Sequence, residues 1–455
     1  MKSLDYTTGK ISGLLLKTAV PMLLASLVNM ITQMANVFFM GHTGQDVLYV
    51  LSLYIPISFL LIALVEALQL STQVTISRNR GKNQTEISSK LAHYAAGGLL
   101  LTIAVGLIVI LCVPLFRYYY GIADSVHPLF SGYVRGMMIA AIPTVLGAIA
   151  NAALRGLGMA QQASIIAVGT AAVNVLLVYL LVRVIGLSLS GIVYANMISG
   201  LLSLAAAVIY LIRTGHLKLP PRVWRMSQLI LLRHVGVPVF VSYCLIFLST
   251  LFYNGIISPY GESVIAGFGV GYRIQTMAIL PGIVIGSAIG IIINQNMAEK
   301  KGERAYEGFK TGMQHSYAAY VLIAAGVWLF KDSIVSFLIV EEAARQEAAQ
   351  YLSIVAPSYI LMGPLMTALL TMEQTGQGYR ALLLNSVYFI LIVTAGFGMT
   401  SLLDQPEAFY WCIFFANLAG ASVIIPTFRM YKKRYVQAAS DPDHRAQEKV
   451  FSPQA

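Results

Sequence analysis

Three observations predict an all-α integral membrane protein: twelve transmembrane helices in two six-helix lobes, related by a parallel internal repeat, with a central cavity. Of the 455 residues, 57% are hydrophobic and 11% are charged, against roughly 25% charged in soluble domains. Apolar stretches of about 20 residues or more, the length that spans a bilayer, recur along the whole chain. The second half of the chain also repeats features of the first at nearly constant spacing.

The composition excludes a soluble globular protein, because so few charges cannot solvate the outside of so apolar a chain. A bilayer accepts that surface as its own solvent does. The net charge of +11 reads by location as loop charge, not as a footprint for nucleic acid, and no nucleic-acid partner is expected. Cys112, Cys244 and Cys412 each lie inside an apolar run, where they read as small buried hydrophobes and not as a disulfide framework. The first apolar segment is too long for the apolar core of a cleaved signal and reads as a retained helix.

The expected spans are 14–40, 48–77, 91–116, 131–152, 163–184, 187–212, 232–257, 264–294, 313–339, 351–373, 381–402 and 408–429. The first, second and eighth are long, and Pro21, Pro56 and Pro281 are candidate kink positions in them. Lys2, Lys10 and Lys17 precede the first span. Alternate loops then carry Arg78, Arg80, Lys82 and Lys90, next Arg155, next Arg213, Lys218, Arg222, Arg225 and Arg233, next Lys300, Lys301, Arg304 and Lys310, and next Arg380. The opposite loops and their flanks hold Arg117, Arg135, Arg183, Lys331 and Arg345. Basic loops stay on the cytoplasmic side, so both termini are expected there, which requires an even number of spans in the cell (plasma or inner) membrane.

Four regions follow: an N-terminal six-helix lobe at 1–212, a basic cytoplasmic linker at 213–231 containing Pro220 and Pro221, a C-terminal lobe at 232–430, and a polar cytoplasmic tail at 431–455. Leu15, Val20 and Pro21 lead a span that ends in Gly44-Gln45-Asp46-Val47. At an offset of 217, Leu232, Val237 and Pro238 lead one that ends in Gly261-Glu262-Ser263-Val264. Gly156-Leu157-Gly158 matches Gly376-Gln377-Gly378 at an offset of 220. An even number of spans per half gives both halves the same orientation, related by an axis along the membrane normal. Two such lobes can rock to expose a site to each side in turn.

Ala35-Asn36-Val37-Phe38-Phe39-Met40-Gly41-His42 resembles the end of the first helix of the multidrug and toxic compound extrusion (MATE) family. Leu154-Arg155-Gly156-Leu157-Gly158, followed by Asn174 and by Gly186 to Ser199, resembles its fourth-to-sixth helix region. Arg273, Pro281 and Asn294-Gln295-Asn296 resemble its eighth helix. The resemblance runs from about residue 10 to 430 and implies export coupled to entry of protons or sodium. The wider superfamily also holds polysaccharide and lipid-precursor flippases, and twelve spans favour the drug-extrusion branch. The chain departs from the family at its acids: Asn36 matches the first-helix aspartate, Val178 matches the fifth-helix one, and the preceding motif asparagine is kept as Asn174.

A central charge in a span costs about 2.5–3.5 kcal/mol on insertion scales, so each one needs a reason. Glu66 lies mid-span and forms a one-face stripe with Gln69 and Gln73, as Asn29, Gln33 and Asn36 do on the first helix. If the two stripes meet, Glu66 can carry the coupling ion with Asn36, Gln33, Gln69 and Asn174 around it. The alternative is a structural, permanently paired glutamate. Asn29, Met30, Met34, Gln73, Tyr243, Phe247, Ser249, Tyr253, Tyr272, Arg273 and Met277 are candidate cavity liners, since methionine repacks around varied shapes and aromatic rings attract organic cations. Ordinary helix packing or lipid contact accounts better for any one of them taken alone. Ser242, Ser249 and Tyr253 give the seventh helix one polar face. Glu373 is expected at a partly solvated helix end.

No phosphate-cradling loop, nucleophile elbow or metal-binding spacing occurs, so an enzyme is not expected, and the energy source is an ion gradient. No cofactor is expected beyond H+ or Na+. The expected function is a secondary active antiporter that exports amphipathic, cationic small organic molecules from a monomer in contact with membrane lipid. The alternatives are a lipid-linked precursor flippase of the same superfamily and an uncoupled facilitator.

Overall fold

The computed structural model describes residues 4–40, 45–79, 84–120, 122–217, 229–339 and 341–437. Within them it leaves out the side chains of 33–38, 40, 45, 46, 48, 52, 119, 120 and 262. All regular structure among these residues is helical. The helices are α1 Ile11–Met40, α2 Gln45–Arg78, α3 Gln84–Tyr120, α4 His127–Gly156, α5 Ala160–Val178, α6 Ser188–Arg213, α7 Val237–Ile257, α8 Glu262–Ala298, α9 Gly302–Leu329, α10 Lys331–Leu338, α11 Glu342–Val355, α12 Tyr359–Gln374, α13 Gly378–Leu403, α14 Glu407–Gly420 and α15 Ile424–Lys432.

Eleven helical segments of the described residues are long and apolar enough to cross a membrane, and α9 with α10, bent by 66°, makes a twelfth if the pair is one span. Helices are what a chain must form there, because only they satisfy every backbone donor within one segment. The expected single spans at 351–373 and 408–429 are each two helices joined by a 3-10 turn, at Ala356–Ser358 and Ala421–Val423. Pro357 and Pro426 stand in or just after these turns, and neither can donate a helical hydrogen bond. α3 begins earlier than its apolar run, because Lys90 pairs with Glu86 at 3.2 Å and donates to Asn79 Oδ1 at 2.7 Å. That pairing gives the polar first turns a partner.

The chain forms two compact units: Met1–Asp5 with Val20–Phe240, and Tyr6–Ala19 with Val241–Ala455. The repeat is visible in the helix ends. α2 and α8 begin at matched residues, Gln45 and Glu262, and α5 and α13 at Ala160 and Gly378. Gly158 (φ +84°) and Gly376 (φ +83°) hold the same left-handed position, which glycine enters without a Cβ penalty. Gly376 therefore corresponds to Gly158, two residues along from the Gly156 match read in the sequence. Most of the central linker, at 218–228, and the tail from 438 lie outside the described residues.

In the first unit, one apolar cluster gathers Tyr54, Ile57, Phe130, Met138 and Val182. A second gathers Leu64, Leu68, Tyr94, Ile149 and Leu154. α4 passes through both, with Gly147 against the backbone of Leu204 and Gly200 against that of Thr144. Small residues let spans approach closely where lipid supplies no hydrophobic drive between helices. The second unit has an aromatic core instead: Phe268 stacks on Tyr272 and meets Tyr351 edge-on, while Tyr253 meets both Tyr272 and Phe409.

Candidate ion and substrate site

In the first unit, α2 is buried almost all round from Ala67 to Ser77, so its polar side chains must find partners within the protein. Ser71, Thr72 and Thr75 donate back to the carbonyls of Ala67, Leu68 and Ser71. Glu66 and the two glutamines cannot do so and form a track along the helix. Gln69 Nε2 donates to Glu66 Oε2 at 3.4 Å. One turn further, Gln73, 1% exposed, accepts a hydrogen bond from Arg155 Nε at 3.0 Å. Arg155 also attracts the Glu66 carboxylate electrostatically, without a contact short enough for an ion pair.

Arg155 reads in the sequence as a loop charge. It stands instead on the last turn of α4, half-buried, and is the residue that sequence reasoning missed. Gly156 explains how it arrives there: a Cβ at that position would lie 2.8 Å from the Gln73 carbonyl and 3.0 Å from Ile76 Cβ. The bare glycine brings the end of α4 against α2. Gly158 then turns the chain into α5, with its N–H on the Arg155 carbonyl at 3.0 Å. The Leu-Arg-Gly-Leu-Gly run thus carries one close approach, one turn and one buried charge.

Asn174, on α5, is buried and donates to Ser199 Oγ at 2.9 Å on α6, with Asn196 Oδ1 at 3.5 Å. Asn29 is exposed and Met30 half-buried. Gln33, Met34 and Asn36 lie on α1 with side chains outside the described residues.

In the second unit, Ser242, Ser249 and Tyr253 share one face of α7, and all three are buried. Ser242 Oγ donates to Glu373 Oε1 at 3.2 Å, and Ser249 caps the Ile246 carbonyl. Tyr253 belongs to the aromatic core. Glu373 is 5% exposed, not at a solvated helix end as the sequence suggests. The α12 terminus is enclosed there, with Gln374 against Gly290 and Asn294 Nδ2 on the Gln374 carbonyl at 3.0 Å. Tyr243, Phe247, Tyr272 and Met277 are half-buried, and Arg273 is exposed. The three cysteines are half-buried free thiols.

A duplicated array of apolar helices, each half with its own packed interior and a few buried polar tracks, is the architecture of a multi-pass membrane transporter. The family model MatE matches residues 21–180 and again residues 238–397, one match per half, and the chain belongs to the MatE family. It is 24% identical over 399 residues to the multidrug export protein MepA of Staphylococcus aureus (84% of this chain, 86% of that one). It is 23% identical over 370 residues to the probable multidrug resistance protein YoeA of Bacillus subtilis (78% and 80%). Its fold is that of the Vibrio cholerae MATE transporter VcmN in the bent form (TM-score 0.87, 18% identity, covering 93% of this chain and 98% of that one). A MOP superfamily transporter from Pyrococcus furiosus is equally similar (TM-score 0.86, 19% identity, 97% and 100%). The protein is therefore a multi-pass cell-membrane transporter of the MATE type.

Proposed function

We propose that the chain is a secondary active antiporter that exports amphipathic, cationic small organic molecules in exchange for protons or sodium, with both termini cytoplasmic. The observation that carries the coupling is the track Glu66–Gln69 and Gln73–Arg155. A carboxyl in a membrane-spanning helix is expensive, and here its nearest partner is an amide at the limit of a hydrogen bond, with the guanidinium held off by Gln73. Such a carboxyl is free to take a cation, where a closed ion pair is not.

In this reading Glu66 binds the incoming ion in place of the family's aspartates. Loading it weakens the pull on Arg155 at the end of α4, so occupancy at Glu66 biases the packing of α4 on α2. Interactions that differ between two states are what a ligand needs to shift them. The half-buried Tyr243, Phe247 and Met277 of the second unit are the proposed contacts for substrate.

The test is uptake of a fluorescent organic cation into inverted, energised vesicles under imposed proton or sodium gradients. Accumulation that collapses with one gradient and is absent in Glu66→Gln supports the reading and identifies the ion. Unchanged accumulation in Glu66→Gln removes Glu66 from coupling, and equilibration without accumulation in the native chain makes it a facilitator.

A further inference from the structure

A pair of carboxylates lies in the second unit, at the end opposite to the one carrying Asn296 and Arg304. Glu347 stands on the second turn of α11 and Glu407 opens α14. Gly267 of α8 lets α11 approach closely here, since a Cβ on it would lie 2.5 Å from Glu347 Cβ. Gln350 Nε2 donates to Glu407 Oε1 at 2.8 Å. The other oxygen, Glu407 Oε2, and Glu347 Oε2 are both shielded from solvent without a hydrogen-bond partner. The two carboxylates repel each other.

An independent observation points into the same place. Tyr410, one turn along α14 from Glu407, is fully buried, and its hydroxyl has no partner. Its ring is fixed by stacking on Phe268 and by an edge contact with Tyr351, and both Glu347 and Glu407 act on its oxygen. Buried polar atoms are nearly always satisfied, so three oxygens gathered here without a hydrogen-bond partner point to a ligand that supplies one. Among the described residues, other charged groups on the neighbouring elements have partners or are exposed. Arg345 pairs with Glu342 at 2.6 Å and Lys331 with Asp332 at 3.4 Å. Glu341 accepts from Ser263 at 2.8 Å, and Arg273 and Asp404 are exposed.

We propose that Glu347, Glu407 and Tyr410, with Gln350 beside them, form a binding site for one monovalent cation, a sodium ion or a proton shared by the two carboxyls. Carboxylate, phenol and amide oxygens are the donor set a hard cation takes. Gln350 holds Glu407 in place through the oxygen it does not offer to the ion. With the termini cytoplasmic, as proposed above, this end faces the exterior, the side from which a coupling cation enters.

The site is tested in the purified full-length chain carrying Glu66→Gln, so that the first unit's carboxyl contributes nothing. Retention of radioactive sodium is measured at pH 8 against a choline blank, and proton uptake is measured from pH 8 to pH 6 in weakly buffered solution. About one sodium per chain, lost in Glu347→Gln and in Glu407→Gln and weakened several-fold by Tyr410→Phe, assigns sodium. No sodium, but about one proton taken up that either glutamine substitution abolishes, assigns the shared proton. If the Glu66→Gln chain retains no sodium and its proton uptake equals that of its Glu347→Gln and Glu407→Gln derivatives, the proposal is overturned, and either derivative alone makes this comparison if the other fails to fold. Cation retention here with export intact in Glu66→Gln would remove the first-unit reading alone.

Discussion

Arg155 and Glu373 occupy the same place in the two halves of the duplicated chain and carry opposite charges. Each stands near the end of a helix, three residues before the left-handed glycine, Gly158 or Gly376, that turns the chain into the next span. Each is held by a polar side chain of a neighbouring helix, Gln73 on α2 for Arg155 and Ser242 on α7 for Glu373. The packing beside them is complementary. Gly156 of α4 lies against Gln73 of α2, whereas Gln374 of α12 lies against Gly290 of α8. The duplication kept the backbone junction and exchanged which helix supplies the glycine and which sign of charge sits beside it.

Arg155 is expected to matter by charge and by geometry separately. Arg155→Lys keeps the cation that faces Glu66 but loses the planar Nε donor to Gln73, while Arg155→Gln loses the charge. We expect gradient-driven export to fall at least tenfold in Arg155→Gln and less in Arg155→Lys, measured in vesicles at equal protein. Arg155→Gln combined with Glu66→Gln should do no further harm than Glu66→Gln alone, since the two act as one unit. Additive losses would separate them.

The glycine that brings α4 to α2 gives a stability prediction. Gly156→Ala places a methyl 2.8 Å from the Gln73 carbonyl, a backbone atom that cannot turn aside. Overpacking of this kind costs about 1–3 kcal/mol, read as a lowered midpoint in thermal unfolding of the detergent-solubilised protein. Gly158→Ala strains a left-handed residue instead and costs roughly 1–2 kcal/mol. An unchanged midpoint in Gly156→Ala would show that α4 does not press on α2 here.

The N-terminal segment is tied to the second unit by its backbone. Arg304 donates from Nη2 to the Thr8 and Gly9 carbonyls at 2.8 and 2.6 Å, and Asn296 Nδ2 donates to the Tyr6 carbonyl at 3.0 Å. Tyr6 is fully buried, its hydroxyl 2.6 Å from Thr18 Oγ1. Arg304→Ala removes the contacts to Thr8 and Gly9 and should raise proteolytic cleavage within residues 5–10 several-fold. Lys301→Ala, which loses one longer contact of 3.2 Å to Thr7, should raise it less.

Helix periodicity and loop charge made the spans legible, because crossing a bilayer is a constraint every span meets by itself. The Glu66–Gln69–Gln73 stripe was legible for the same reason, as three residues on one face of one helix. The partner of that stripe was not. Arg155 lies next to glycine at a predicted helix end, where a basic residue ordinarily marks the cytoplasmic loop, and only the close approach allowed by Gly156 reveals where it points. Glu373 misled in the same way, since a helix end is solvated only if nothing packs over it. Glu347 and Glu407 come from different helices, and no spacing in one chain announces a pair that only tertiary packing brings together. The 3-10 turn between α11 and α12 was marked by Pro357 but hidden by unbroken hydropathy, which measures polarity and not hydrogen bonding.

The turn of α8 around Pro281 is held by a side chain of α9, and it yields the sharpest structural prediction. In a regular helix the Gly282 N–H would bond directly to the Ala278 carbonyl, four residues back. Here the Tyr320 hydroxyl bridges that pair, accepting from Gly282 N–H at 2.9 Å and donating to the Ala278 carbonyl at 2.6 Å. α8 runs unbroken through Pro281, and the ring reaches it because Gly363 of α12 leaves room beside it. Tyr320→Phe removes one donor and one acceptor from a fully buried position and should cost about 1–3 kcal/mol. Gly363→Ala drives a methyl into the ring and should cost at least as much. Because both act on the same contact, the pair should be less than additive in thermal unfolding. If Tyr320→Phe were neutral while Gly363→Ala were not, the ring would matter for packing and its hydroxyl would play no part in holding α8.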